Sequence, residues 1–274
     1  MTGAAGMLGR DLVPLLERRG HEVTAVDLDV DVTDAGAVRA CADACGPEAV
    51  LHLAAWTDVD GAEEREEAAG EVNALGAANV AAAAAAHGAA LVYPSTDYVF
   101  DGRKGAPYTE DDPVAPLGAY GRTKLGGERA ALQANPAGTR VARTAWLYGR
   151  HGRNFVDTMR RLGSERDQVT VVADQTGSPT WTCDLAPALV ALLDHPPGVY
   201  HTAGGGAVTW AGFAEAIFAE AGIDCRVVPT TTAEFGRPAP RPAYSALAAT
   251  RPGAPRLRDW REALRDYLRE VPGP

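Results

Sequence analysis

Apolar positions along the first two thirds of the chain gather in short unbroken runs. Residues 23–27, 49–54, 89–95 and 139–145 are such runs, and each predicts a strand. Helix-like segments lie between them, over residues 8–19, 35–45, 66–87 and 120–135. Strands that alternate with helices predict βαβ units and a parallel sheet. The runs are continuously apolar rather than alternating, as expected where helices cover both faces of a sheet. The predicted fold class is therefore α/β, a doubly wound parallel sheet.

The last third reads differently. Proline and glycine cluster at residues 177–179, 196–198, 204–206 and 236–242, with short helices predicted over 185–193, 210–221 and 260–269. The expectation is a sheet domain over residues 1–176 and a smaller, loop-rich lobe built mainly from 177–274. A binding crevice is expected between them. No internal repeat interrupts this pattern.

Composition narrows the choice of partners. The chain has 274 residues, 46% hydrophobic and 23% charged, which is ordinary for a globular protein. A net charge of −10 disfavours general binding to nucleic acid or to anionic lipid. Cys41, Cys45, Cys183 and Cys225 form no C-x-x-C pair and read as structural filler. No leader and no membrane-length apolar run stands out, so a cytoplasmic protein with reduced thiols is expected.

The chain opens with Gly3, Gly6 and Gly9 in G-x-x-G-x-x-G spacing, followed at once by helical sequence. Glycines let backbone N–H groups approach a pyrophosphate, and the helix N-terminus adds partial positive charge. Asp27 ends the run at 23–27, about 20 residues on, where an acid can accept hydrogen bonds from an adenosine ribose. Asp31 and Val32 form a second pair placed to meet adenine. Such a loop should follow a central apolar strand, yet almost nothing precedes it. The expectation is a natural chain that starts several residues earlier, with Met1 standing where a valine would be.

Tyr120 and Lys124 form Y-x-x-x-K at the start of a helix, so phenol and ammonium share one face. A cation beside the phenol would lower its pKa towards working pH and let it trade a proton with a carbonyl oxygen. Lys104 and Lys124 are the lysines of a chain that otherwise uses arginine, and arginine's permanently charged fork could not fill this role. Thr96 follows the run at 89–95, where open α/β sheets expose ligand-binding residues.

These residues sit within a longer series of motifs: TGAAGMLGRDL at the start, AAWTDVDGAE at 54–63, VNALGAANVA at 72–81 and STDYVFDG at 95–102. PLGAYGRTKLGGE follows at 116–128, then RTAWLYG at 143–149, NFVDTM at 154–159, DQTGSPTW at 174–181 and RPAYSAL at 241–247. Over nearly its whole length the chain resembles the extended short-chain dehydrogenases/reductases, and within them the dTDP-4-dehydrorhamnose reductase family. The resemblance implies a Rossmann-type domain with a smaller C-terminal substrate-binding lobe. It also implies an NADPH- or NADH-dependent reduction of the C4 keto group of a dTDP-4-keto-6-deoxy sugar. It makes Tyr120 the proton donor, Lys124 its partner and Thr96 the tuner of proton transfer. Gly3, Gly6, Met7, Leu8 and Gly9 would contact cofactor phosphates, with Ala55, Trp56 and Thr57 lining the cofactor. Thr96, Asp97, Tyr120 and Trp146 would meet the sugar nucleotide, and Arg241 and Arg237 its pyrophosphate.

Departures are few. Pro94 stands where the family carries an aromatic beside the cofactor, and Trp56 where it usually has Tyr or His. Asp27 should favour NADH over NADPH, while Arg10 softens that preference. No carboxylate cluster supports the metal that some members hold at a dimer contact, so no metal is assigned; a homodimer is compatible with the sequence. Two other readings stay open: a sugar-nucleotide epimerase or dehydratase, and a non-catalytic regulatory homologue. Tyr98, not an acid, follows Thr96-Asp97, which argues against elimination.

Overall fold

The computed structural model describes residues 1–272. Its centre is a parallel sheet in the order Ala49–Leu51, Ala90–Thr96, Thr139–Thr144, Gly198–His201. Side chains alternate between the two faces. Val92, Ala142 and Tyr200 join Leu51 and the leucines of the helices Gly9–Arg18 and Thr182–Leu192. Leu91 packs with Val80, Ala81 and Ala84 of Gly76–Ala86 and with Ala131 of Ala119–Ala134. Helices thus bury both faces, which is why the strands read as continuous apolar runs.

The segment 23–27 does not form the regular strand its composition predicts. Its partner is the two-residue stretch Met1–Thr2, and the ladder is correspondingly short. Val26 N donates to Met1 O at 2.9 Å and Ala4 N to Val26 O at 3.1 Å. On the other side, Thr2 N donates to Leu51 O at 3.1 Å and Leu53 N to Thr2 O at 3.2 Å. Met1 and Thr2 therefore pair on both edges, as a central strand would.

Helix ends follow the sequence chemistry. Asp34 caps Ala35–Cys45 by accepting from Gly36 N and Ala37 N, and Gly46 closes it at φ 55°. The helix predicted over 66–87 is continuous but carries a π-turn over Glu71–Leu75, between Glu66–Gly70 and Gly76–Ala86.

The last third, joined by residues from Tyr148 to Val172 that precede the boundary expected at 176, builds a second core around Trp260, Tyr148, Phe213 and Tyr267. Helices Phe155–Glu165, Trp210–Ala221 and Trp260–Glu270 pack there beside a parallel strand pair, Gln168–Val172 with Arg226–Thr230. Residues 182–201, beyond the boundary expected at 176, return to the first sheet: the helix covers it and Gly198–His201 extends it. No helix among the described residues is long and apolar enough to cross a membrane.

Candidate active site

The glycine turn is shaped by close backbone approach. Gly3 has φ +67°, and a Cβ there would lie 2.6 Å from Ala54 N. A Cβ on Gly9 would lie 2.5 Å from the carbonyl oxygens of Gly3 and Ala4. Side chains are thus excluded where a pyrophosphate would meet backbone N–H groups at the start of Gly9–Arg18. Asp27 is tied to this turn, its Oδ2 accepting from Ala5 N at 2.7 Å. A cavity of about 440 Å³ opens beside it, lined among others by Ala5, Arg10, Val13, Asp27 and Asp29. Asp31 faces its own loop: Thr33 N and Oγ1 donate to it and hold its carboxyl below the usual range. Val32 is buried against Gly76. Met7 lies against Gly149 and Gly152. The Leu8 side chain is buried in the core, so only its backbone can serve a cofactor.

Ala55, Trp56 and Thr57 follow the strand Ala49–Leu51. Trp56 is fixed by Asn73: its N–H donates to Asn73 Oδ1 at 2.9 Å, and Asn73 Nδ2 donates to Trp56 O at 3.2 Å. Asn73 Nδ2 also donates to Thr123 Oγ1 at 3.0 Å, which ties it to the helix of Tyr120. Asn73 sits in the π-turn, whose extra residue per turn re-aims a side chain, a common feature of functional sites. Sequence reasoning missed Asn73; the uninterrupted helical pattern around it gave no signal.

Lys124 is buried under the strand Ala90–Thr96. Its Nζ donates to Pro94 O at 2.8 Å and lies 4.1 Å from the centroid of the Tyr93 ring. Residues 90 and 92 bond the neighbouring strand, through Ala90 N to Glu48 O and His52 N to Val92 O. The same alternation would bring Ala54 N to Pro94 O next, but Ala54 N turns instead to Thr2 Oγ1 at 3.4 Å. The Pro94 carbonyl is left for the ammonium. Burial pushes Lys124 down to about 7, against the Glu128 charge that raises it.

Tyr120 was expected to have a lowered pKa. The structure reverses this: burial and the Asp97 carboxylate push the phenol up to about 12, opposed by the Thr96 hydroxyl that lies against it. Thr96 Oγ1 donates to Asp97 Oδ1 and accepts from Tyr98 N, each at 3.1 Å. Asp97 is buried, and Ser245 donates to its Oδ2 at 2.5 Å. Burial pushes Asp97 up to about 7, with Ser245 and Thr96 opposing. Ser245 thus brings the motif at 241–247 to the strand end. It too was missed as a site residue, being distant in sequence.

Beneath these groups lies a buried charge pair. Arg143 donates to both Glu128 oxygens, at 2.9 and 2.7 Å, and Ser95 donates to Glu128 Oε1 at 2.5 Å. The Trp146 indole is half-buried. Its ring stacks on Trp210, with centroids 3.5 Å apart and planes at 5°, so one face is already covered. Its backbone is at φ 47°, a strained value for a bulky residue. Arg241 is anchored within the chain. It is held by Asp60, which accepts from its Nη2 at 3.0 and 3.1 Å and from Arg237 Nη1 at 2.9 Å. Among the described residues no three His, Cys, Asp or Glu side chains gather as a metal site.

The parallel sheet with its glycine turn at the strand ends has the fold of the extended short-chain dehydrogenases/reductases. More narrowly, the chain belongs to the family described as the RmlD substrate binding domain, which matches residues 1–272. It is 46% identical to a dTDP-4-dehydrorhamnose reductase of Streptomyces griseus, covering 100% of this chain and 96% of that one. It is 45% identical to a dTDP-4-keto-6-deoxy-D-glucose reductase of Streptomyces niveus, over 96% and 94% of the two chains. A crystal structure of dTDP-4-dehydrorhamnose reductase from Bacillus anthracis in complex with NADP is 38% identical. It superposes with a TM-score of 0.95, over 98% of each chain.

Proposed function

We propose that this chain reduces the C4 keto group of a dTDP-linked 4-keto-6-deoxy sugar. The observation that carries the reading is Tyr120, set against Thr96 at the end of the central strand and one turn before the buried Lys124. The glycine turn and the Ala5–Asp27 contact fit the diphosphate and ribose of NADPH or NADH. When bound, that cofactor supplies hydride to C4.

The residues of the chain handle the proton. As hydride arrives, charge develops on the C4 oxygen, and Tyr120 gives it a proton from its Oη. Thr96 lies against the phenol, and once its hydroxyl releases Asp97 Oδ1 it is free to donate to the same oxygen. A phenol held near 12 stays protonated until the reaction draws on it, which suits an acid in the reducing direction. In its ammonium form Lys124, one helical turn on, would stabilise the phenolate left behind, and Asn73 keeps Trp56 and the tyrosine helix in register. The lobe that carries Ser245, Trp210 and Arg241 takes the nucleotide sugar. Tyr98 lies between Tyr120 and Arg241 and offers no second carboxyl for elimination.

The test is incubation with dTDP-4-keto-6-deoxy-L-mannose and either NADPH or NADH, following loss of reduced nicotinamide. Turnover should fall about 10²-fold or more in Tyr120→Phe with cofactor binding kept. A folded, cofactor-binding protein without turnover on any such sugar overturns the reading.

A further inference from the structure

The motif at 54–63 runs into a short helix, Val59–Glu64, in which the carboxylates of Asp60 and Glu63 lie one turn apart and reach different parts of the active site. Glu63 Oε1 accepts from Ala119 N at 2.6 Å. Ala119 opens the helix Ala119–Ala134, whose N-cap residue, Gly118, has no side chain to cap it. A Cβ on Gly118 would lie 2.6 Å from that carboxylate oxygen, so the glycine makes room for a cap delivered from another element. Tyr120 is the next residue, and Ala62, Ala119, Trp56 and Tyr120 pack as one cluster.

Asp60 faces the other way. It accepts from Arg237, from Arg241 and from Ala239 N at 3.1 Å, and so fixes three points of the proline-rich stretch at 236–242. Arg241 is largely buried and lies against the Tyr98 hydroxyl; Tyr98 in turn meets Tyr120 edge-on at 5.8 Å. Arg237 is 56% exposed. One carboxylate against two guanidiniums leaves a net positive charge, and the exposed guanidinium keeps N–H donors free for an anion.

We propose that the helix Val59–Glu64 is a positioning element of the active site, in which Glu63 sets the catalytic tyrosine and Asp60 sets the arginine pair for the nucleotide diphosphate. This rests on the reading that the lobe takes a nucleotide sugar. Neither carboxylate touches reacting atoms. Each acts through another group, and the two should separate kinetically.

The experiment compares Asp60→Asn, Glu63→Ala and Glu63→Gln in steady-state kinetics, with calorimetric titration of dTDP alone. Asp60→Asn should raise KM for the keto sugar about tenfold, weaken dTDP to a similar degree, and change kcat less than about threefold. Glu63→Ala should lower kcat about tenfold and leave dTDP binding intact, and Glu63→Gln, which keeps an acceptor oxygen, should restore most of kcat. Tighter dTDP binding by Asp60→Asn would overturn the proposal, since Asp60 would then compete with the ligand. Equal losses in kcat and KM in all three variants would also overturn it, as the helix would be a mere support. If Glu63→Ala does not fold, the Asp60→Asn split and the Glu63→Gln rate decide. Wild-type protein that binds dTDP yet turns over no keto sugar refutes the proposed function, while the calorimetric arm still judges Asp60. Wild-type protein that does not bind dTDP refutes both.

Discussion

Lys124→Met keeps the length of a buried stem and removes its charge. Lys124 is 3% exposed, and burial pushes it from 10.5 down to about 7. Between those values the unfolded chain holds a proton that the native chain has released, so native stability rises with pH across that window. Below about 7 the native protein carries a buried ammonium at full penalty. Each pH unit is worth about 1.4 kcal/mol, so the penalty has a ceiling of about 5 kcal/mol. Methionine removes it but leaves the Pro94 carbonyl without its donor, at about 1–3 kcal/mol. The cofactor-free variant should therefore be about 2–4 kcal/mol more stable than wild type at pH 6, with the gap shrinking at pH 9, while turnover is lost. Urea unfolding of both proteins at several pH values measures this. A variant that is no more stable at pH 6, or a gap that does not change with pH, would refute the reasoning.

Arg143→Met strands the Glu128 carboxylate, which is buried and would retain only the Ser95 hydroxyl. Losing one partner of a buried pair costs about 3–5 kcal/mol, so a melting scan should show a fall of roughly 10 °C. At Gly127 a Cβ would lie 2.2 Å from both Asn73 O and Tyr93 Oη. Gly127→Ala should push the tyrosine helix off its seat, destabilise by at least about 2 kcal/mol in chemical unfolding, and reduce kcat in the fraction that folds; a fully active, equally stable variant would show that the helix is not held there.

Legibility followed locality. The helix at 35–45 has its cap residue, Asp34, and its closing Gly46 next to it in sequence, and both ends were readable. Tyr120, Lys124 and Thr96 were readable because a four-residue spacing and a strand end are short-range signals. Asn73, Ser245 and Glu63 act across gaps of 50, 148 and 56 residues, so no window around them shows their partners. The π-turn was hidden because its residues have ordinary helix propensity; the pull comes from Trp56 and Thr123. The segment 23–27 has strand composition but only a two-residue partner. The Trp146–Trp210 stack was beyond reach, since the two indoles lie far apart in sequence.

The return of residues 182–201 to the first sheet has a consequence during synthesis. Until the ribosome has added Gly198–His201, one edge of Thr139–Thr144 has no neighbour, and until Thr182–Leu192 arrives, Leu12 and Leu16 lack the leucines of that helix. At about 5–20 residues per second the nascent dinucleotide half waits seconds with that surface bare. A fragment ending at residue 176 should therefore be chaperone-bound or aggregated rather than a free cofactor-binding module, although a boundary drawn from loop composition alone would offer it as one.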